Sequence, residues 1–457
     1  MLLLLANAAA AQTQDTPTDG SNTPQRPTIQ DQRWEENWSV LADPALQTEP
    51  LDALKYIPLS PDGQVWLSLG ANARERMESV SNPNYGTPGE KSNTYLLDRT
   101  EVDADLRIYG WQAFVQLQDD RAPGKLIVTP ADADRLDLEE AFLAHVGDLG
   151  DGVLKVRIGR QEFAFDQQRF VSDRDGANVR QAYDAIWVDY ETPSWRIISF
   201  VSQPVQYKND AMFDDYSDQS LQLDGFRVER RDVGPGNLAV YYLRYKRDNA
   251  KFIGASGTEQ RNAFDAHYAN DHGPVVFDIE AMIQEGSIGG RPVLAWAFGE
   301  RSGYQFGAPW SPELGLQIDA ASGNTSSHGT FGTFNPLFPN AWYFSLAGLT
   351  TYANLVHVKP FFSVAPARGW MLQAALGFQW RETTNDAVYT IPVQPVPNTA
   401  GHGNLWTGAY LQLDVAKQVN ANVTVGAQFV QFQAGDTIRA AGGHNVSYGE
   451  VQVSLAW

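Results

Sequence analysis

The sequence predicts an all-β protein, a transmembrane antiparallel β-barrel of about 18 strands. Three observations support this fold class: many segments alternate apolar and polar residues, one face of each segment is polar, and short and long connections alternate along the chain. An open sheet of about 18 strands would be unusually large, so we expect the sheet to close on itself.

The N-terminal residues are typical of an export signal followed by a linker. Residues 1–11, MLLLLANAAAA, have a short apolar core and small residues suited to cleavage, as in a signal peptide whose basic start is missing. Residues 12–32 are mostly polar and lack periodicity, so they are predicted to be disordered. Residues 33–457 are assigned to the barrel, with strands from about residue 65.

The predicted strands have one apolar face and one polar face. In residues 65–76, Val65 and Leu67 lie on one face, while Ser68 and Arg74 lie on the other. A barrel in a membrane turns its apolar face to lipid and its polar face to a wet interior, whereas a β-sandwich packs its apolar faces together. The same alternation occurs in residues 275–283, 372–380, 405–415 and 423–429.

The connections are alternately short and long. Short turns are predicted near residues 110, 147–152, 192–194, 232–236, 269–273, 366–369 and 417–421. Long loops are predicted at residues 81–93, 121–134, 165–181, 204–219, 320–354 and 383–403. Short periplasmic turns at one end and long extracellular loops at the other are typical of an outer-membrane barrel.

The C-terminal residues 451–457, VQVSLAW, predict the strand that closes the barrel. Val451, Val453, Leu455 and Trp457 share one face at a period of two residues. We therefore expect these four side chains to lie on the lipid-facing surface.

The composition argues against several classes of function. The chain has no cysteine, which excludes thiol catalysis, disulfides and cysteine-bound metals. With 34 basic and 54 acidic residues its net charge is −20, which argues against a nucleic acid partner. The mean hydropathy is −0.34, and no run of 18 apolar residues predicts a membrane-spanning helix.

No catalytic or metal-binding motif stands out. The seven histidines lack the spacing of metal ligands, and no Gly-x-Ser-x-Gly motif is present. Asp210, Asp214, Asp215 and Asp218 have calcium-binding chemistry, but such a run is more typical of a solvated loop. We therefore expect no enzyme activity, no cofactor and no bound metal.

Several stretches resemble the outer-membrane alginate-export family. RWEENWSVLADP at 33–44 and KYIPL at 55–59 precede a strand that ends RERME at 74–78. RIGRQEF at 157–163, DQQR at 166–169, NVR at 178–180 and YD at 183–184 form a second group, and LFP at 337–339 precedes NL at 354–355. The resemblance covers residues 33–457.

This resemblance implies a single monomeric barrel in the bacterial outer membrane. The implied activity is passive passage of an alginate-like polyuronate, or of another anionic solute, through an arginine-containing lumen. The implied partners are outer-membrane lipid, the transported solute and the barrel-assembly machinery, with Trp457 as part of the assembly signal.

The arginines expected in the lumen come from two lines of reasoning. Strand parity points the side chains of Arg74, Arg76, Arg99, Arg107 and Arg157 inward. The resemblance adds Arg160, Arg169 and Arg180. Parity alone would turn Arg160 toward lipid, so we expect either a bulge at Gly159 or the exit of the strand from the bilayer there.

Two questions remain open from the sequence. Glu101, Asp103 and Asp105 share the inward face with Arg99 and Arg107, so these charges either pair with one another on the wall or contact a solute. The transported solute is either an anionic polysaccharide or, alternatively, a small nutrient or oligosaccharide taken up through a porin. A barrel-borne outer-membrane enzyme is a further alternative, favoured by no motif.

Overall fold

A computed structural model describes residues 26–87, 89 and 91–457. The predicted signal segment 1–11 and residues 12–25 of the predicted linker lie outside the described residues. The described chain forms a closed antiparallel barrel of 18 strands, which confirms the predicted fold class.

The barrel strands follow one another around the wall in chain order and are numbered β1 to β18. They span Val65–Val80, Asn93–Ile108, Trp111–Arg121, Asp134–Leu149, Gly152–Glu162, Ala182–Glu191, Trp195–Pro204, Leu221–Val233, Gly236–Phe252, Ala255–Asn270, Val275–Ile288, Arg291–Gln305, Glu313–Ala321, Leu355–Val364, Trp370–Trp380, Trp406–Gln418, Val423–Ala434 and Val446–Ala456. Closure is made by β1 and β18, whose register runs from Asn72 opposite Ala456 to Val80 opposite Tyr448.

The remaining elements are short. Ile57–Pro58 pairs with β1, and Tyr389–Thr390 pairs with Gln394–Pro395. The α-helices are Asp52–Lys55 and Asp436–Ala440, and the 3₁₀ helices are Arg33–Glu35, Trp38–Ala42, Pro44–Leu46 and Pro83–Gly86. Among the described residues, every helix is too short or too polar to cross a bilayer.

The two ends of the barrel differ in their connections. At one end the strands are joined by residues 109–110, 150–151, 192–194, 234–235, 271–274, 306–312, 365–369 and 419–422. At the other end lie the loops 81–92, 122–133, 163–181, 205–220, 322–354, 381–405 and 435–445. Two hairpins at this long-loop end, 253–254 and 289–290, are also short because β9 to β12 extend further there.

The two faces of the wall follow the predicted parity. In β18, Val451 is 48% exposed and Leu455 is 51% exposed on the outer surface, whereas Glu450 is buried inside. Trp457 departs from this face. Its ring lies 4.8 Å from the Nζ of buried Lys55, and its carbonyl oxygen accepts a hydrogen bond from Arg33 at 2.8 Å.

The segment that precedes β1 lies against the inside of the barrel. Trp38, Leu41, Tyr56 and Trp66 form a buried apolar cluster. This packing of large side chains fixes the segment 33–58 against β1 rather than leaving it as a free linker.

Residues 26–32 are also held by the barrel. The side-chain amide of Gln32 donates to Glu162 at 2.8 Å, and Asp31 accepts from Arg180 at 3.1 Å. This differs from the prediction of disorder, which rested on the lack of apolar residues. Polar contacts with the lumen hold these residues instead.

Candidate functional site

Two long loops fold back into the lumen. The β5–β6 loop (163–181) and the β13–β14 loop (322–354) touch where the backbone N–H of Phe338 donates to Phe170 O at 2.9 Å. Aromatic and aliphatic side chains of both loops pack with inward residues of β6 to β13 in one buried apolar cluster. The loops therefore narrow the interior at mid-barrel.

Three arginines on the wall formed by β1 and β2 hold the β5–β6 loop by its backbone. Arg74 and Arg99 donate to the carbonyl oxygen of Ala177 at 2.7 and 2.8 Å. Arg76 donates to the carbonyl oxygen of Gly176 at 3.1 Å and also pairs with Glu78 of its own strand at 2.9 Å. We call Arg74, Arg76 and Arg99 the arginine row.

The β13–β14 loop packs against the β5–β6 loop at Gly176 and against Arg76 of the arginine row. A Cβ at Gly176 would lie 3.0 Å from Trp342 and 3.1 Å from Asn340, so the two loops approach as closely as a glycine allows. The guanidinium of Arg76 lies 5.0 Å from the centre of the Trp342 ring. The arginine row is thus enclosed by two loops and buried.

Asp175 adds one carboxylate to this contact. It accepts from Arg99 at 2.5 Å and from Arg180 at 2.9 Å. Burial favours its neutral form, but Arg99, Arg180 and Arg74 outweigh this and hold the pKa of Asp175 well below its usual range.

Arg180 lies at the centre of a ring of carboxylates. It donates to Glu162 at 2.5 Å, to Asp173 at 3.2 Å and to Asp31 at 3.1 Å. Burial raises the pKa of Asp173 to about 7, although the charge of Arg180 opposes this shift. The cluster joins the β5–β6 loop both to its own strand and to the N-terminal segment.

Arg169 joins the two loops to the wall at a second point. Its guanidinium donates to Asp278 at 2.5 Å, to Glu280 at 2.9 Å and to the hydroxyl of Tyr343 at 2.7 Å. The side chain is fully buried. Arg169 is therefore bound to protein groups on β11 and on the β13–β14 loop.

Arg107 and Arg157 lie against the N-terminal segment. Arg107 donates to Asp105 at 2.8 Å and to the carbonyl oxygen of Trp34 at 2.7 Å. The guanidinium of Arg157 lies 4.0 Å from the centre of the Trp34 ring. These two arginines hold a segment that sequence reasoning placed outside the strands but did not place in the lumen.

The acidic residues of β2 have separate partners. Glu101 accepts from Asn72 at 3.1 Å, and Asp103 lies 3.6 Å from Arg33. Pairing along the wall occurs for Arg107 with Asp105, but Arg99 turns to the β5–β6 loop instead. The choice between wall pairing and other contacts thus differs from one arginine to the next.

Arg160 lies on the outer face near the end of β5 and not in the lumen, where the resemblance placed it, and the bulge that was one of the two alternatives at Gly159 is not formed. The ladder is continuous there, with Gly159 opposite Ala185 and Arg160 opposite Asp184. Arg160 donates to Asp184 at 2.9 Å and to the carbonyl oxygen of Leu138 at 3.0 Å. Because β5 ends two residues later, the second alternative, exit of the strand, matches this position.

Sequence reasoning missed a buried polar cluster around His357. His357 lies directly opposite Asp319 between β14 and β13, with 3.0 Å between Nδ1 and Oδ2. Its other ring nitrogen is 2.9 Å from the hydroxyl of Tyr410, and Tyr352 donates to Asp319 at 2.5 Å. Strand parity in 313–321 and 355–364 could have placed Asp319 and His357 together in the interior.

Sequence comparison identifies the family to which this barrel belongs. A family model described as alginate export matches residues 65–452, which include all but the end of the barrel. The chain belongs to the alginate export family. It is thus a channel-type barrel of the bacterial outer membrane. No curated protein matches the chain.

Solved structures with the same fold include several outer-membrane barrels. Acinetobacter baumannii OccAB1 has 11% sequence identity and a TM-score of 0.59 over 89% of this chain and 99% of that one. Pseudomonas aeruginosa OccK2 (OpdF) in complex with glucuronate has 10% identity and a TM-score of 0.55 over 85% and 97%. Pseudomonas aeruginosa OpdO has 11% identity and a TM-score of 0.56 over 86% and 97%. At these identities the likeness concerns the fold.

Proposed function

We propose that the barrel conducts an anionic solute of the uronate class past the arginine row, with the β5–β6 loop as a gate. The observation that supports this is the type of acceptor. Arg74 and Arg99 are bound largely by backbone carbonyl oxygens of a loop, so outward movement of that loop would leave two fixed guanidinium groups facing the lumen beside Arg76, which stays paired with Glu78.

Guanidinium groups in a row suit a carboxylate-bearing solute. The planar donor fork of arginine matches a carboxylate, and several such sites in sequence attract an anion without trapping it at one point. Replacement of neutral carbonyl oxygens by charged carboxylates would strengthen the hydrogen bonds of the row. The loop and a uronate therefore compete for the same donors.

A second candidate is a porin for small solutes. The apolar cluster between the two loops and the wall of β6 to β13 fills part of the interior, which favours a monosaccharide-sized solute over a polymer. The two candidates share the arginine row and differ in the length of solute that passes.

Planar-bilayer recordings test the proposal. We expect anion selectivity in a salt gradient, and we expect the Arg74→Gln/Arg99→Gln double variant to move the reversal potential toward zero. Arg121→Gln, a change at an exposed arginine at the end of β3, is the matched control and should leave selectivity unchanged.

Solute length separates the two candidates. Under the polymer hypothesis, glucuronate and an oligouronate should both permeate. Under the small-solute hypothesis, only glucuronate should permeate. A neutral oligosaccharide of equal length serves as the control. Cation selectivity, or equal selectivity in the double variant and the wild type, would contradict the role of the arginine row.

A further inference from the structure

Four carboxylates from two parts of the chain meet at the long-loop end of the barrel. Asp134 and Asp137 lie at the start of β4, and Asp214 and Asp215 lie in the β7–β8 loop (205–220). One oxygen of each lies within 4.8 Å of the others. Carboxylates at this distance repel one another unless a proton or a cation compensates their charge.

Backbone N–H groups orient these carboxylates without neutralising them. Asp137 Oδ2 accepts from the backbone N–H of Asp214 at 2.8 Å and of Asp215 at 3.2 Å. Asp215 Oδ1 accepts from the N–H of Lys208 at 2.8 Å, and Asp214 Oδ2 accepts from that of Ala211 at 3.1 Å. In Asp214 and Asp215, one oxygen is fixed and the other is left available.

The available oxygens are buried and lack partners. Asp134 has 0% exposure and its Oδ1 makes no hydrogen bond. Asp214 and Asp215 are half-buried residues, but Asp214 Oδ1 and Asp215 Oδ2 are themselves buried and make no hydrogen bond. Asp120, which lies directly opposite Asp134 on β3, is buried with neither carboxylate oxygen hydrogen-bonded. Buried unpartnered carboxylate oxygens in this number point to a missing positive charge.

We propose that Asp134, Asp137, Asp214 and Asp215 bind one Ca²⁺ ion. A set made only of carboxylate oxygens selects a hard cation, and Ca²⁺ accepts the irregular geometry of side chains from a strand and a loop better than Mg²⁺. Waters would complete the coordination. The site lies at the long-loop end, which is the extracellular end of outer-membrane barrels, and calcium sites of extracellular modules have dissociation constants of about 10⁻⁴ to 10⁻³ M.

The ion would fasten the β7–β8 loop to the wall beside the anchor of the β5–β6 loop. The residues just before Asp134 provide that anchor: Ala131 O accepts from the N–H of Asn178 at 3.1 Å, and Asp132 O accepts from its side-chain amide at 3.0 Å. Bound Ca²⁺ would therefore restrict movement of residues 131–134, to which the β5–β6 loop is hydrogen-bonded. The binding itself does not depend on the proposed transport function.

Isothermal titration of the EDTA-treated, full-length protein in detergent with CaCl₂ tests the site. We expect one site per chain with a dissociation constant of about 10⁻⁴ to 10⁻³ M. The Asp214→Asn/Asp215→Asn double variant should bind at least about tenfold more weakly, because two of four charged ligands are lost. Asp210→Asn/Asp218→Asn, in the same loop but outside the cluster, is the matched control and should keep the wild-type affinity.

Thermal unfolding of the wild type provides a readout that needs no variant. Ca²⁺ should raise the melting temperature more than Mg²⁺ at equal concentration, because only the folded protein holds the four ligands together. A proton shared between Asp134 and Asp215 is the rival explanation and predicts no calcium binding. Absence of saturable binding by the wild type, or equal affinity in the two double variants, would overturn the proposal.

Discussion

Asn178 is the residue whose loss should most directly open the β5–β6 loop. Its buried side-chain amide donates to the carbonyl oxygens of Asp98, Arg121 and Asp132 at 3.0, 3.2 and 3.0 Å. Asn178→Ala removes these donors but keeps the backbone carbonyl that Arg99 binds. The substitution therefore weakens the attachment of the loop to the wall without changing the charge of the lumen.

The size of the effect follows from the number of hydrogen bonds. The three carbonyl oxygens share the two N–H donors of the amide, and at about 1 to 1.5 kcal/mol of net stability for each donor their loss costs about 2 to 3 kcal/mol. Since 1.4 kcal/mol is a factor of ten in an equilibrium constant, the ratio of open to closed loop should rise about 30- to 150-fold. Strand pairing elsewhere in the barrel is unaffected, so the protein should still assemble.

Single-channel recording measures this ratio as open probability. Asn354→Ala is the matched control, because Asn354 is equally buried and its amide donates to Thr383 O and Ala387 O, far along the chain from the β5–β6 loop. An unchanged open probability in Asn178→Ala, or an equal rise in the control, would refute the assignment of the β5–β6 loop as the gate.

Three further predictions concern pH, strand geometry and assembly. Because burial raises the pKa of Asp173 from 3.8 to about 7 in the closed loop, the closed loop binds a proton more tightly than the open loop. Open probability should therefore fall as the pH is lowered from about 8 to about 4, and Asp173→Asn should remove this dependence in recordings. Gly159→Ala should destabilise the barrel by about 1–3 kcal/mol and lower its melting temperature, because Gly159 has φ +133° and a Cβ there would overlap the backbone of the neighbouring strand. Gly449→Ala, where a Cβ meets open space, should leave the melting temperature unchanged. Deletion of Trp457 should reduce the amount of heat-modifiable barrel in outer-membrane fractions. Trp457→Phe keeps a ring beside Lys55 and should assemble in the wild-type amount. Equal amounts of the wild type, the deletion variant and Trp457→Phe would exclude a role for this residue in assembly.

The wall of the barrel could be predicted because the alternation of apolar and polar residues along a strand shows which side chains face lipid and which face the interior. Alternation in residues 65–76 places Ser68, Arg74 and Arg76 inside, and each of these side chains is buried. The same rule places Arg160 outside. Of the two alternatives expected at Gly159, the bulge is absent from the continuous ladder and the exit of the strand matches, so the side chains keep their parity up to Arg160.

The filling of the barrel could not be predicted in this way. Residues 175–178 show no alternation of apolar and polar side chains, and every loop residue has a backbone carbonyl oxygen. Nothing in the sequence therefore shows that arginines of β1 and β2 bind the carbonyl oxygens of these residues. Residues 26–32 likewise contain little apolar surface, and their position depends on single polar contacts such as that between Gln32 and Glu162. Long-range contacts of this kind appear only when the fold brings the partners together.

The hydrogen-bond partners of an arginine determine whether that arginine can bind a solute. Arg107 is paired with Asp105 on its own strand, and that pair stays together whatever the loops do. Arg74, by contrast, donates to loop carbonyls, which carry no net charge and leave with the loop, whereas Arg76 binds both a loop carbonyl and the carboxylate of Glu78 on its own strand. A protein with a net charge of −20 can therefore present a local cationic path, because Asp175, the carboxylate that pairs with Arg99 and Arg74, sits on the movable loop, whereas Arg76 stays paired with Glu78 on the wall.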